Sequence, residues 1–164
     1  MGDSVLRRTT VLERRFPASL DAAWDLWTTA AGFESWWGPD GFSVTVKAID
    51  LRVGGTLLYA MTATAPEQIA FLKGAGMPLT SETPLTFLEI VPKRRLAFSQ
   101  LADFIPDVTP YDVSTWVELH EEADGVRMVV TVEAMHDEAW TGMALAGWES
   151  QLDKLVASFA ARAS

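Results

Sequence analysis

The end of the sequence carries an apolar stripe that one long helix would present to a partner surface. The spacing i, i+3, i+7, i+10, i+11 and i+14 is that of one helical face, formed by Leu145, Trp148, Leu152, Leu155, Val156 and Phe159. Asp137 is the predicted N-cap of this helix, and Glu138 suits the positive end of the helix dipole. Because such a stripe must pack against apolar side chains, the rest of the chain has to supply that surface.

The preceding sequence predicts mainly antiparallel strands. Two segments of alternating apolar and polar residues flank Gly54-Gly55, whose adjacent glycines permit the positive φ angles of a hairpin turn. A second hairpin is predicted around Asp124-Gly125. Two short helices follow the first strand, one after an N-cap at Ser19 and one over residues 33–37. The predicted strands span residues 5–16, 42–51, 56–64, 85–91, 96–101, 115–121 and 126–134.

These elements predict an α+β fold, a curved antiparallel sheet of about six or seven strands wrapped around a long C-terminal helix. A sheet of this size curls, and one helix cannot fill its concave face from end to end. The first half of the predicted helix is also thin, with Gly142, Ala144, Ala146 and Gly147. Since glycine costs about 1 kcal/mol relative to alanine inside a helix, the glycines here indicate close backbone approach or room for a cavity.

The composition restricts the classes of function. The chain has 164 residues, no cysteine and 2 histidines, which excludes disulfides, thiolate catalysis and cysteine-based metal sites. Its 13 basic and 22 acidic residues give a net charge of -9, which argues against binding to nucleic acid or to an anionic membrane surface. Residues 1–10 lack the apolar core of a secretory signal. We therefore expect one domain over residues 1–164, located in the cytoplasm, with no cofactor.

Several short motifs occur in the order found in one known family. They are Phe16-Pro17-Ala18-Ser19 leading to Ala23–Trp27, then Trp36-Trp37-Gly38-Pro39, Gly41-Phe42 and Asp50–Gly55, and finally Gly142-Met143, Gly147-Trp148 and Leu152. In these motifs the chain resembles the START-like (SRPBCC) superfamily and, within it, the family of the C-terminal domain of the activator of heat-shock protein 90 ATPase. The resemblance extends over residues 14–159.

The resemblance implies a helix-grip fold with an apolar cavity between the sheet and the C-terminal helix. Members of the superfamily bind hydrophobic small molecules, act as co-chaperones or cyclise polyketides. The segment Pro66–Thr83 is longer than the connection in many members. We expect this segment to form a lid over the cavity mouth, with one or two helical turns over residues 69–72.

The residues expected to face the cavity combine strand parity with the implied fold. Gln100 shares the parity of Leu96 and Phe98, and a polar amide on an inner face needs a partner, which a ligand, the backbone or water could supply. Trp37 could line the cavity or attach the short helices to the sheet, and methionine side chains suit permissive binding surfaces. The predicted ligand-binding residues are Trp37, Phe42, Tyr59, Met61, Phe71, Phe87, Phe98, Gln100, Met135, Trp140 and Met143.

No catalytic or metal site is predicted. The sequence contains no Ser-His-Asp spacing, no HExxH motif and no phosphate-binding glycine loop. His136-Asp137-Glu138 superficially suggests a metal site. Consecutive residues before a helix point in different directions, however, and helix capping explains this cluster better.

Three hypotheses about function remain open. The first is a non-enzymatic protein that binds a small hydrophobic or aromatic molecule in the cavity. The second is an interaction module that acts, like a co-chaperone, on a chaperone or client protein. The third is a cyclase- or hydrolase-type enzyme that uses a cavity carboxylate such as Asp103. Exposed strand edges are compatible with a monomer or a homodimer.

Overall fold

The computed structural model describes residues 8–38, 41–102 and 107–163. The strands are β1 (Thr9–Phe16), β2 (Phe42–Ile49), β3 (Thr56–Ala63), β4 (Thr80–Val91), β5 (Arg95–Ala102), β6 (Tyr111–Glu122) and β7 (Gly125–Glu133). The helices are α1 (Leu20–Thr28), α2 (Ala30–Glu34), α3 (Pro66–Gly74) and α4 (Glu138–Ala163). All strands pair antiparallel in one seven-stranded sheet, in the order β1-β7-β6-β5-β4-β3-β2. The predicted α+β helix-grip architecture, with short helices after the first strand, is confirmed.

Three local signals act as the sequence predicts, whereas α2 begins three residues earlier than predicted. The hairpin between β2 and β3 turns at Gly54, whose φ of +85° is a conformation that glycine adopts without strain. Ser19 caps α1, since its Oγ accepts the Ala22 N–H at 3.0 Å. Asp137 caps α4, since its Oδ1 accepts the Trp140 N–H at 2.8 Å. None of the described helices is long and apolar enough to cross a membrane.

Aromatic residues of the short helices form one end of the core. Trp27 and Trp36 are buried and meet edge to face, with ring centroids 4.7 Å apart. The Trp36 indole N–H donates to the Leu26 carbonyl oxygen at 2.8 Å, so its burial leaves no polar group unpaired. The second half of α4 completes the core, where Phe159 packs on Phe16 of β1 at 5.1 Å. The short helices and the end of α4 thus cover the same face of the sheet.

Strand β4 begins earlier than predicted. The sequence predicts a strand over residues 85–91, whereas β4 starts at Thr80 and runs through Pro84. The register between β4 and β5 starts at Leu85, so the first part of β4 pairs with β3 alone. A proline is tolerated there because its missing N–H faces no partner strand.

Strand β2, an outer edge of the sheet, departs from regular alternation. A register shift between Val46 and Ala48 leaves Ala48 exposed, although strict alternation places it on the same face as the buried Val44. At this bulge the Val46 N–H donates to Glu34 Oε2 at 2.7 Å. The extra residue changes which side chains face the core, as bulges do.

Candidate functional site

Two adjoining pockets lie between the sheet and the first half of α4, and we call them together the cleft. Their volumes are about 290 and 130 Å³, and both are bordered by Gln100, Ala144 and Trp148. The larger pocket is lined by Trp37, Gly38, Tyr59, Met61, Gln100, Ala144, Gly147, Trp148 and Gln151. The smaller pocket is lined by Gln100, Leu101, Ala102, Val113, Thr115, Val132, Glu133, Met135, Ala144 and Trp148.

Small residues on α4 leave this space open. Ala144, Gly147 and Gln151 lie at i, i+3 and i+7, so they share the helix face that borders the larger pocket. A Cβ atom added to Gly147 would meet no heavy atom within 4 Å. The cleft therefore lies along the thin half of the helix, where the sequence predicts a hollow.

Trp37 forms an aromatic wall of the cleft and also attaches the short helices to the sheet. Its ring stacks on Phe33 of α2 at 4.6 Å and meets Tyr59 of β3 edge to face at 5.9 Å. It also meets Trp148 of α4 edge to face at 5.2 Å. The two roles left open for Trp37 by the sequence are compatible, because the ring is 95% covered yet still borders the larger pocket.

The backbone beside this wall is fixed to α4. The Gly38 N–H donates to Gln151 Oε1 at 3.0 Å, and the Lys154 Nζ donates to the Gly38 carbonyl oxygen at 2.7 Å. Gly38 has a φ of +91°, which disfavours any residue with a side chain. These two hydrogen bonds determine the position of Trp37 relative to the helix.

A buried polar cluster lies at the sheet side of the larger pocket. The Tyr59 hydroxyl is buried close to the polar groups of the Trp37, Thr83 and Gln100 side chains. Burial raises the pKa of Tyr59 above its usual value of 10, because a phenolate would lose its hydration, and the polar side chains around the hydroxyl oppose this shift only in part. Tyr59 therefore presents a neutral hydroxyl at the sheet side of the larger pocket.

The lining of the cleft carries little charge. Glu133 is the only charged residue in either lining, and its Oε1 accepts the Ser114 N–H at 3.0 Å. Neither lining includes a lysine, an arginine or a histidine. The cleft as described can therefore accept apolar surface and hydrogen-bonding groups, but offers no cation to an anionic ligand.

The structure brings five of the predicted ligand-binding residues to the cleft. They are Trp37, Tyr59, Met61, Gln100 and Met135. Phe87 and Phe98 have the predicted parity but are buried in the core, and the Phe98 ring packs against Trp37 at 6.2 Å. Those two residues support the wall without bordering the pockets.

The other predicted residues lie elsewhere. Phe42 and Trp140 are half-buried and border neither pocket. Phe71 is 68% exposed on α3, which buries none of its residues, so its predicted place in the cavity is not what the structure shows. Met143 is 57% exposed because it is offset from Ala144 by one residue, about 100° around the helix. Neither lining includes a residue of α3, and the lid over residues 66–83 stays a prediction.

Sequence reasoning missed Gln151, and it favoured a core position for Trp148, which borders both pockets. Gln151 is a buried polar residue adjacent to Leu152 of the apolar stripe. The polar residue next to the apolar stripe was the available signal, because a polar side chain on a buried helical face requires a partner. The partner, Gly38, is 113 residues away in the chain, and no local pattern identifies it.

The cluster before α4 acts as a helix cap. His136 Nδ1 and the Tyr111 hydroxyl lie 2.9 Å apart, while Asp137 caps the helix. Within residues 8–38, 41–102 and 107–163, no group of three or more His, Cys, Asp or Glu side chains could hold a metal ion. Asp103, the candidate carboxylate, lies outside the described residues.

Comparisons with solved structures find the same fold. Protein CV1439 from Chromobacterium violaceum has a TM-score of 0.73 at 23% identity, over 92% of this chain and 96% of that chain. The AHSA1-like protein from Aeromonas hydrophila has a TM-score of 0.72 at 19% identity, over 95% and 94%. The AHSA1 protein from Silicibacter pomeroyi has a TM-score of 0.70 at 20% identity, over 94% and 99%. None of the curated proteins compared with the chain matches it.

A family profile gives the sequence-level assignment. The family is described as Activator of Hsp90 ATPase homolog 1-like protein, and its profile matches residues 17–160. That match spans the short helices, the strands β2 to β7 and nearly all of α4. The chain therefore belongs to the family of Activator of Hsp90 ATPase homolog 1-like proteins.

Proposed function

We propose that the protein binds a small hydrophobic or aromatic molecule in the cleft, without chemical conversion of that molecule. One observation carries this proposal: two adjoining pockets of about 290 and 130 Å³ follow the thin half of α4. Ligand sites are typically apolar concave spaces with a few polar groups, which describes this lining. Burial of apolar ligand surface contributes about 25 cal/mol per Å² before the costs of association.

The polar groups of the cleft suit binding better than acid–base chemistry. General acid or base catalysis needs a group that exchanges protons near the working pH. The Tyr59 hydroxyl is buried, and burial raises its pKa further from neutrality. The Glu133 carboxylate accepts a backbone N–H from Ser114. A buried neutral hydroxyl and a carboxylate that already binds a backbone N–H support a receptor for a neutral molecule.

The test uses N-phenyl-1-naphthylamine, a neutral apolar dye whose fluorescence rises in apolar surroundings. We expect saturable binding to the wild type. Ala144→Leu should lower the affinity for the dye at least tenfold, because three added carbon atoms would enter the space that both pockets share. Ala146→Leu is the matched control, since Ala146 is exposed on α4 and borders neither pocket.

Two outcomes would contradict the proposal. If the wild type shows no saturable fluorescence change, or if both leucine variants weaken the dye equally, the cleft is not the binding site. Circular dichroism and thermal unfolding of each variant check that the fold persists.

A second candidate function has one observation in its favour. The segment from α3 to β4 exposes two large apolar side chains, Phe71 at 68% and Met77 at 52%. Exposed apolar surface is typical of protein-interaction sites, and the family carries the name of an activator of the Hsp90 ATPase. This surface would suit a co-chaperone-like contact with a chaperone or client protein.

The ATPase rate of purified Hsp90 tests this second function. Stimulation by the wild type that Phe71→Ser reduces and Met143→Ser leaves intact would support it, because both residues are exposed but only Phe71 belongs to α3. An unchanged ATPase rate, together with no complex in size-exclusion chromatography, would reject it.

A further inference from the structure

We infer that Gln151 Nε2 is a hydrogen-bond donor to the ligand of the cleft, so that the cleft selects a neutral apolar molecule with a hydrogen-bond acceptor such as a carbonyl oxygen. The inference rests on the proposed function and names the chemical class of the ligand. It follows from one hydrogen bond of Gln151, from the burial of this residue and from the charges of the lining.

The first step concerns the orientation of the Gln151 amide, which the backbone of Gly38 determines. The Gly38 N–H can only donate, and it donates to Gln151 Oε1 at 3.0 Å. The amide cannot be turned the other way, because its NH2 group would then face another donor. Nε2, which offers two donor hydrogens and accepts nothing, is therefore the end of the amide that is left for another partner.

The second step concerns Gln151 Nε2, which has no partner in the protein. Gln151 is only 6% exposed, yet its amide nitrogen makes no hydrogen bond within the part of the chain that the structure describes. Every fully buried side-chain nitrogen or oxygen of that part has a partner, so Nε2 still has access to open space. Because Gln151 borders the larger pocket, an acceptor placed there could satisfy this donor.

Two other polar side chains of the larger pocket do not select an acceptor in this way. The Tyr59 hydroxyl can donate as well as accept. No hydrogen bond among the described residues holds the Gln100 amide, so it can present either its oxygen or its nitrogen. Both groups suit donors and acceptors alike, whereas the fixed amide of Gln151 suits an acceptor alone.

The third step concerns charge. Glu133 is the only charged residue of the two linings, and the whole chain carries a net charge of -9. A carboxylate ligand is also an acceptor, but it would lose its hydration without gaining a cation from the lining. A neutral carbonyl oxygen avoids this cost and still accepts from Nε2.

The helix face determines where the acceptor lies. Ala144, Gly147 and Gln151 share one face of α4, and Ala144 borders both pockets. The acceptor oxygen would therefore lie at the Gln151 end of the larger pocket. The apolar part of the ligand would follow Gly147 and Ala144 towards the smaller pocket.

The experiment measures displacement of N-phenyl-1-naphthylamine at about pH 8 by three bicyclic compounds of similar size. Indane has no polar group, 1-indanone has a carbonyl acceptor and indole has an N–H donor. We expect 1-indanone to bind about tenfold more tightly than indole, which corresponds to one net hydrogen bond. Indane measures the affinity that apolar burial alone provides.

Gln151→Glu tests the named residue. A glutamate still offers an oxygen to the Gly38 N–H, but its second oxygen replaces the two donors of Nε2 by an acceptor. The Lys154 ammonium, which donates to the Gly38 carbonyl oxygen at 2.7 Å, favours the ionised carboxylate. The ratio of the 1-indanone affinity to the indole affinity should therefore fall about tenfold or more. Glu149→Gln, on α4 but bordering neither pocket, is the matched control that should keep the ratio.

A second measurement uses the wild type alone and so does not depend on the folding of a variant. The side-chain NH2 signals of Gln151 in the nuclear magnetic resonance spectrum should move further downfield with saturating 1-indanone than with saturating indane. Only the ketone can accept a hydrogen bond from Nε2. Equal shifts with both compounds would contradict the inference.

The failure of this inference differs from the failure of the proposed function. If the dye binds but indole competes as well as 1-indanone, or if Gln151→Glu keeps the ratio of affinities, the assignment to Gln151 is wrong and the cleft remains a binding site. If Gln100→Leu abolishes the preference for 1-indanone and Gln151→Glu does not, the donor is Gln100 instead. If the dye does not bind to the wild type at all, the binding function fails and this inference fails with it.

Discussion

The two halves of α4 face the same sheet but leave different amounts of space. In the second half, Leu152 and Leu155 are fully buried and Phe159 packs on Phe16. In the first half, Ala144 and Gly147 border the cleft. The change from large to small side chains along one helix therefore separates a packed core from an open site.

This difference shows that the size of the side chains, and not the apolar pattern alone, determines where a cavity forms. Large residues at helical spacing fill the concave face to the usual density of a protein interior. Small residues at the same spacing continue the helix but leave the opposite strands uncovered. The junction of the halves carries Gln151, which fixes the Gly38 backbone to the helix.

Truncation of a side chain in the packed half should have the largest effect. Leu155→Ala should lower the free energy of unfolding by about 2–5 kcal/mol, because it leaves a cavity in a fully buried region. Leu145→Ala in the first half should cost less than half as much, since Leu145 is only partly buried. Urea denaturation of both variants measures the difference, and equal losses would show that the halves do not differ in packing.

Substitution of the two glycines in the open half should have a smaller effect on the free energy of unfolding. Gly142→Ala and Gly147→Ala should each raise the free energy of unfolding by about 0.5–1 kcal/mol, because alanine favours the helix and neither added Cβ meets an atom within 4 Å. Only Gly147→Ala should lower the affinity for N-phenyl-1-naphthylamine, by a few-fold, since only Gly147 borders the cleft. Equal binding by both variants would contradict this position for the ligand.

The smallest effect concerns the ionisation of Tyr59 and is visible only at alkaline pH. The absorbance at 295 nm of the wild type minus that of Tyr59→Phe should titrate with a midpoint above 10, because burial raises the pKa of Tyr59. The folded pKa exceeds the unfolded one, so this group contributes its full stability below pH 10. That contribution falls as the pH rises past 10 through the folded pKa. A midpoint at or below 10 would mean that the hydroxyl is accessible to water.

Local chemistry made much of the fold predictable. The caps Ser19 and Asp137 and the turn at Gly54 need only neighbouring residues, and each lies where the sequence predicts it. The extra part of β4 was missed because Pro84 reads as a strand terminator. Only the pairing of β4 with a single neighbour at that point explains why proline is allowed there.

The site was less predictable, because its residues meet through long-range packing. Strand parity placed Tyr59 and Gln100 on the inner face correctly, but parity cannot tell a residue that borders a pocket from one beneath it, as Phe98 shows. Apolar character alone misplaced Phe71, which is exposed on a helix without a fully buried residue. The partnership of Gln151 with Gly38 depends on how the helix crosses the sheet.

The hydrogen bond between Glu34 and the edge of β2 also affects how copies of the chain can associate. A strand added by a neighbouring molecule would need the Val46 N–H, which already donates to the Glu34 carboxylate at 2.7 Å, next to a bulge that disturbs the pairing register. The β2 edge of the sheet is thus protected against pairing with a further strand. Loss of the Glu34 carboxylate should therefore promote aggregation in concentrated solution, while the fold of an isolated molecule stays intact.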